Sequence, residues 1–273
     1  MRVLLTGATG FVGRKVRQVL EGRGYEVVGA SRATGIDFRG MLADADWRAH
    51  LEGIEAVVNS VGIIVESADQ RFDTLHHRAP GALFRACVSA GIRRVVQISA
   101  LGASAGAPTG YLRSKHAGDE ILRGLPLEGW VLRPSLVYGP EGRSTALFRR
   151  LASLPLIPLV GQGDQRIQPV HIDDLAAAVA ICLETASESR TVDIVGPQAM
   201  TFAQWLQRLR VQTGRQETLT LPLPLSWLLA LSRIGRHVAP LFHPDNLHML
   251  QQGSTADPAP LAALLGRMPR HVP

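Results

Sequence analysis

The stretch "RVLLTGATGFVG", residues 2–13, restricts the fold more than any other part of the chain. Val3–Thr6 reads as a buried strand, and a helical pattern starts almost at once behind it. Between the two lie Gly7, Gly10 and Gly13, at G-x-x-G-x-x-G spacing. Gly7 allows a tight turn, Gly10 lets the backbone approach a pyrophosphate, and Gly13 permits close helix–strand packing. The mouth of the helix then offers unpaired N–H groups and a partial positive charge to the phosphates. Such a junction belongs to a βαβ unit and points to a dinucleotide.

The following residues continue that alternation. Strands are expected at Val3–Thr6, Glu26–Ala30, Ile36–Phe38, Ala56–Asn59, Val95–Ser99 and Val131–Pro134, with helices near 11–22, 44–52, 72–90 and 112–123. Strands that are apolar on both faces need helices on both sides of the sheet. Only "RATG" separates the second and third of these strands, so one crossover helix is expected to have shrunk to a loop. Beyond about residue 140 the chain turns rich in proline and leucine, as in "SLPLIPLVGQG". The expected class is α/β: a Rossmann-type doubly wound parallel sheet over residues 1–140, with a smaller C-terminal substrate lobe, 141–273, partly returning to the main sheet.

Composition narrows the function classes. A hydrophobic fraction of 46% and a charged fraction of 19% over 273 residues fit a packed globular chain, not a disordered one. Cys87 and Cys182 sit alone in apolar helical patterns and match no metal spacing, so both read as buried thiols. The N-terminus reads as a strand and turn, not as a signal peptide. The longest apolar run, Leu219–Leu231, is broken by Pro222 and Pro224 and falls short of a bilayer span. A net charge of +6 favours anionic partners. Without a stripe of basic and aromatic residues it does not indicate nucleic acid. The expected location is cytoplasmic, with contact to the inner face of a membrane as an alternative.

At the end of the second strand an NAD-binding protein usually carries an acid for the ribose 2′-hydroxyl. Here stand Ser31 and Arg32, and a guanidinium suits a 2′-phosphate, so NADP(H) is favoured over NAD(H). Asp37, beside Phe38, can accept from the adenine amino group or cap the following turn. Asn59, Val61 and Gly62 in "VVNSVG" are candidate cofactor neighbours. In "GYLRSK", Tyr111 and Lys115 share one helical face. A lysine cation beside a phenol lowers the tyrosine pKa, which makes an acid or base for a carbonyl/alcohol pair. Ser99, at the end of the preceding strand, is the candidate donor to the substrate oxygen, with Ser104 behind it.

"TGATGFVG", "VVNSVG", "RVVQISALGAS", "YLRSK", "VLRPSLVYGP" and "IQPVHIDDLAAAV" occur in this order. Together, over roughly residues 1–215, they resemble the extended or atypical short-chain dehydrogenase/reductases, whose members include epimerase-like enzymes. Within that superfamily the chain is most similar to the branch of the nucleotide-binding accessory subunit of respiratory complex I and its bacterial relatives. The resemblance implies a Rossmann fold of about seven parallel strands and a dinucleotide along Gly7, Thr9, Gly10, Phe11, Val12 and Gly13. It also implies the Ser/Tyr/Lys roles for Ser99, Tyr111 and Lys115. Pro134 and Ser135 would lie near the nicotinamide, and His171–Asp174 would begin a helix edging the substrate cleft. Two features depart from the pattern: Ala100 and Leu101 follow Ser99 where the family often has further hydroxyls, and the adenosine side is shortened.

"LPLPLSWLLALSRIGRHVAPLF", residues 221–242, reads as a packed helix of the second lobe, or as a surface for a cleft, partner or membrane. "ALLGRMPRHVP" reads as a domain edge, beyond which related sequences can continue. Two functions follow from the residues. One is an NADP(H)-dependent oxidoreductase or epimerase transferring hydride on a small carbonyl or hydroxyl compound. The alternative is a non-catalytic NADPH-binding assembly or sensor protein tied to a respiratory complex or membrane. The substrate and the oligomeric state stay open.

Overall fold

A parallel sheet of six strands forms the centre of the computed structural model, which describes residues 1–186, 189–227 and 243–273. Its strands are β1 (Arg2–Thr6), β2 (Glu26–Ala30), β3 (Ala56–Asn59), β4 (Arg94–Ile98), β5 (Glu128–Pro134) and β6 (Arg190–Ile194). Their spatial order is β6-β5-β4-β3-β1-β2, so the winding reverses at β1. Val3, Leu4, Leu5, Val57, Val58, Val95 and Val96 are all fully buried, as strands covered on both faces require.

One face is covered by α1 (Phe11–Gly22) and α6 (Ile172–Glu184), with Val16, Leu20, Leu175, Val179 and Leu183 against the strands. On the other face lie α2 (Asp44–Trp47), α3 (Ala79–Ser89) and α4 (Gly110–Arg123), contributing Trp47, Leu83, Phe84 and Leu122. A separate apolar cluster joins α5 (Arg143–Ala152) to α7 (Phe202–Gln212), with Phe148, Phe202 and Trp205 in edge and tilted ring contacts. Among the described residues, two further helices are α8 (Pro244–Gln252) and α9 (Ala259–Leu265). Leu261 of α9 packs into the cluster on the α1–α6 side. Beyond it, the Arg267 side chain and the Arg270 backbone N–H both donate to the buried Asp174 of α6, which ties the segment read as a domain edge to the main core.

Three expectations about the fold need correction. Ile36–Phe38 is not a strand, and β2 stays at the edge of the sheet with its outer side unpaired among the described residues. Gly35, at φ 83°, turns the chain back so that the Ile36 N–H bonds the Ser31 carbonyl at 3.0 Å. Ala56–Asn59 is therefore the third strand, and six parallel strands replace about seven among the described residues. The crossover helix is also present. It follows the turn as α2 and a 3-10 turn at Arg48–Leu51, anchored by the buried Trp47.

The helix expected at 72–90 is divided. Asp73–Arg78 is a π-helical turn, and α3 begins at Ala79 with Pro80 in its first turn. Pro80 has no N–H to give the carbonyl of His76, four residues earlier, so regular α-helix cannot run through this point. In the C-terminal part, Thr220–Leu223 pairs in parallel with Ile157–Val160 as a strand. The remainder of the apolar stretch, residues 228–242, lies outside the described residues.

Candidate active site

The loops at the C-terminal ends of β1–β5 line two adjoining cavities, at the place where the strand order reverses. The smaller, about 200 Å³, lies over Gly7 and Gly10 and reaches the end of β2. The larger, about 450 Å³, lies between α4, the end of β5 and α8. Ser60, Gly62 and Ile63 belong to both walls.

In the smaller cavity the glycines are required by geometry. Gly7 sits at φ 71°, and a Cβ there would come within 2.9 Å of Ser60. A Cβ on Gly13 would collide with the Gly7 carbonyl. Gly13 lines neither cavity, so its part is the packing that lets α1 begin here. Gly10 caps α1 without a side-chain bond, and no acidic residue occupies the first turn. The N-terminal N–H groups and the positive end of the helix dipole are thus available to an anion. These features fit the pyrophosphate of a dinucleotide.

Toward the end of β2, Thr9, Ser31, Arg32, Asp37 and Phe38 all line the smaller cavity. Arg32 makes no ion pair among the described residues. Arg39, which no sequence motif marks, lines the same wall. Its guanidinium holds Asp37 at 2.5 Å and Asp69 at 2.7 Å. The hydrogen bond from Arg39 keeps the Asp37 carboxyl below the usual carboxylate range. Asp37 also accepts the Arg39 backbone N–H at 3.0 Å, which makes it the cap of the following turn. The Ser31 hydroxyl is buried and has no partner among the described residues.

Asn59 is fully buried and lines neither cavity. It lies in a polar ladder across three strands, accepting from Thr6 at 2.5 Å and donating to Gln97 at 2.7 Å. Through its other contact, accepting the Val61 N–H at 3.3 Å, it orients the loop that does face the cavities.

The larger cavity gathers Phe11, Val12, Gly62, Ser99, Tyr111, Lys115, Pro134 and Ser135 on one wall or another. Thr109 caps α4 through its side chain, and the helix then presents Tyr111 and Lys115 four residues apart. Lys115 Nζ donates to the Ile98 carbonyl at 3.1 Å and the Val61 carbonyl at 3.3 Å. Burial pulls the Lys115 pKa down to about 8, against the opposing charge of Asp119. Tyr111 behaves contrary to expectation: burial, with the charge of Asp119 behind it, pushes its pKa up to about 12. Desolvation of the phenolate outweighs the neighbouring cation, whose ammonium is directed at the two backbone carbonyls.

Ser99 donates its hydroxyl to Asp119 Oδ2 at 2.6 Å. The proton expected to face a substrate oxygen is thus used inside the wall, and Leu101 lies on the cavity surface beside it. Asp119 itself is fully buried, and burial raises its pKa. A sequence signal for it existed: Tyr111, Lys115 and Asp119 follow one another at intervals of four.

His76 had no such signal. It is fully buried, with its ring stacked on Phe72 and edge-on to Tyr111. Its Nε2 accepts the Ile63 N–H at 3.1 Å, which leaves the proton on Nδ1 to be donated to Ser114 Oγ at 2.8 Å. Ser114 in turn donates to the Tyr111 carbonyl at 2.7 Å. Burial, with Lys115 nearby, holds His76 well below its ordinary pKa and therefore neutral. The network links the start of α4 to the loop at Gly62 and Ile63.

His171 caps α6 by accepting the Asp173 N–H at 3.2 Å, so Asp173 is a first-turn acid, paired with Lys15 at 2.7 Å and Arg270 at 2.6 Å. Cys87 and Cys182 are buried thiols, pushed up to about 12 by desolvation. Among the described residues no helix is long and apolar enough to cross a membrane.

The "NAD dependent epimerase/dehydratase family" model matches residues 3–195, which contain the glycine loop, the Tyr111–Lys115 pair and all of the central sheet but Arg2. The chain belongs to that family. It is 29% identical over 250 residues to the mitochondrial NADH dehydrogenase [ubiquinone] 1 alpha subcomplex subunit 9 of Arabidopsis thaliana, covering 83% of this chain and 62% of that relative. It is 28% identical over 193 residues to a ceramide reductase of Caulobacter vibrioides, covering 66% of this chain and 60% of the relative. The chain thus spans about three fifths of the length of these two proteins. A solved structure of the Thermus thermophilus UDP-glucose 4-epimerase in complex with NAD superposes with a TM-score of 0.71 at 22% identity, covering 96% of this chain and 92% of that one. At that identity the likeness concerns the fold.

Proposed function

We propose that this member of the family is an NADP(H)-dependent oxidoreductase that reduces a carbonyl compound. The observation that carries the reading is the position of Tyr111 and Lys115 on the wall of a cavity that adjoins the glycine-loop cleft. When bound, the dinucleotide supplies the hydride. Gly7, Gly10 and the start of α1 hold its pyrophosphate, and Lys115 is placed to donate to its nicotinamide ribose. Arg32 and Ser31 hold the 2′-phosphate, with Arg39 adding charge at the same wall. Tyr111 gives a proton to the substrate oxygen. Its raised pKa keeps the phenol protonated at neutral pH, the form needed for reduction, in which the oxygen gains a proton.

The test is Tyr111→Phe assayed for NADPH oxidation over a panel of carbonyl compounds. Turnover is expected to fall by about 10²-fold or more, the usual share of a general acid. NADPH affinity should stay within about threefold, because the ring and its packing are kept. Unchanged turnover refutes the reading.

A second reading is supported by the hydroxyl of Ser99, which is committed to Asp119, and by the similarity to a subunit of a respiratory complex. In it the chain binds NADPH as an assembly or sensor protein without turnover. NADPH copurification, a stable membrane-fraction partner and no activity across the carbonyl panel would favour it over the reductase.

A further inference from the structure

The lining of the larger cavity has an unusual charge balance. Among the described residues that form it, Lys115 is the only one with a charged side chain, and its ammonium gives two of its three N–H groups to backbone carbonyls. Three of the serine hydroxyls on the wall are turned away as well, and the other polar side chains on it, beside Tyr111, are Ser144, Asn246, Gln252 and Ser254. Ser60 donates to the Thr6 carbonyl at 2.7 Å, Ser99 to Asp119 at 2.6 Å and Ser135 to the Gln168 carbonyl at 2.6 Å. What remains facing the space is mostly hydrocarbon. Ile64, Leu136 and Phe148 form part of it, and α8 contributes Leu247, Met249 and Leu250. Met249 packs in the same apolar cluster as Tyr111, Ala100 and Leu112, so the hydrocarbon surface begins at the proposed proton donor.

A nucleotide sugar brings two phosphates into its site, and buried phosphate charge needs cations or a row of free donors. Among the described residues its wall offers one cation, Lys115, and not the cluster of basic side chains that two phosphates need. From this lining we infer that the larger cavity takes an uncharged carbonyl substrate with an aliphatic chain, and does not take a nucleotide sugar. The inference rests on the reductase reading for the place of the reacting carbonyl, beside Tyr111, but the binding preference can be measured without turnover. The cavity's size is that of sites for small organic ligands.

The experiment is a binding series on the full chain with saturating NADPH or NADP. Its probes are 2-butanone through 2-decanone and UDP-glucose, followed by calorimetry or ligand-observed NMR. Each methylene that enters hydrocarbon surface should tighten the Kd by about fourfold until the cavity is filled. UDP-glucose should not compete. Met249→Lys should weaken 2-decanone by at least about tenfold while NADPH affinity, which also reports that the variant is folded, stays unchanged; Met249→Leu should restore it. A Kd independent of chain length, UDP-glucose binding comparable to 2-decanone, or an unaffected Met249→Lys overturns the inference. Chain-length-dependent binding with no NADPH oxidation overturns the reductase reading and leaves the inference standing.

Discussion

Replacing Gly118 by Ala tests the coupling between helix α4 and the π-helical turn that holds His76. Gly118 lies on the face of α4 that packs against this turn, and a Cβ there would collide with the His76 carbonyl oxygen and come within 3.3 Å of its carbon. That carbonyl belongs to the residue whose i+4 position is Pro80, so the turn is already displaced from α-helical geometry there. Two effects oppose each other. In an open helix position Gly→Ala stabilises by about 1 kcal/mol. Here a Cβ fixed rigidly to the helix meets backbone of the turn, so helix and turn must separate by something on the order of an ångström, and such overpacking costs about 1–3 kcal/mol or more. So close an approach to the carbonyl oxygen puts the clash in the upper part of that range, about 2–3 kcal/mol, for a net loss of about 1–2 kcal/mol. Urea unfolding measures it, with Gly22→Ala as control, since nothing lies within 4 Å of a Cβ at Gly22. The control should keep or gain stability. Because α4 carries Tyr111 and Lys115 while His76 holds the Ile63 N–H, Gly118→Ala should also weaken NADPH binding. A Gly118→Ala protein as stable as the wild type, with unchanged NADPH affinity, refutes the coupling.

Arg32→Ala should lower NADPH affinity about tenfold to a hundredfold, the range of one charge-assisted hydrogen bond, and leave NADH affinity nearly unchanged; equal losses for both would refute the 2′-phosphate assignment. Lys115 has a folded pKa of about 8 against an ordinary value of 10.5, so between these the unfolded chain binds the extra proton and stability rises with pH. Lys115→Met should therefore remove that rise between about pH 8 and 10.5. Subtracting its stability–pH curve from the wild-type curve cancels the buried thiols, whose raised pKa values act with the opposite sign. No difference in slope would show that Lys115 titrates normally. His76→Ala should cost about 2–4 kcal/mol in unfolding, since it leaves a cavity, the Ile63 N–H without its acceptor and the Ser114 oxygen without its donor. A loss under about 1 kcal/mol would mean that the network does not hold the loop.

Much of the fold was legible because its determinants are local. The strand, glycine turn and helix at residues 2–22 are set by apolar pattern and by positions where a side chain cannot fit, and β2 to β5 follow from apolar pattern as well, whereas β6 fell in the part expected only to return partly to the main sheet. The place of Ile36–Phe38 was not legible: its residues suit a strand on the open edge of β2, and the turn at Gly35 instead carries the Ile36 N–H back to the Ser31 carbonyl. The break in the helix at Asp73–Arg78 was foreshadowed by Pro80, yet its π-helical form depends on packing against α4. Tyr111 and Lys115 could be named from spacing and place.

The sequence by itself determined the α/β class and the glycine cradle, since those follow from short-range pattern and residue type. The tertiary structure decided which groups carry their protons toward the cavities and which spend them inside the walls. Ser99, Asn59 and Asp37 are all occupied by partners 20, 38 and 2 residues away, through Asp119, Gln97 and Arg39. It also decided that burial, and not the neighbouring lysine, dominates the tyrosine pKa. Hydrogen-bond partners and desolvation are properties of what the folded chain brings together, and spacing along the chain does not encode them.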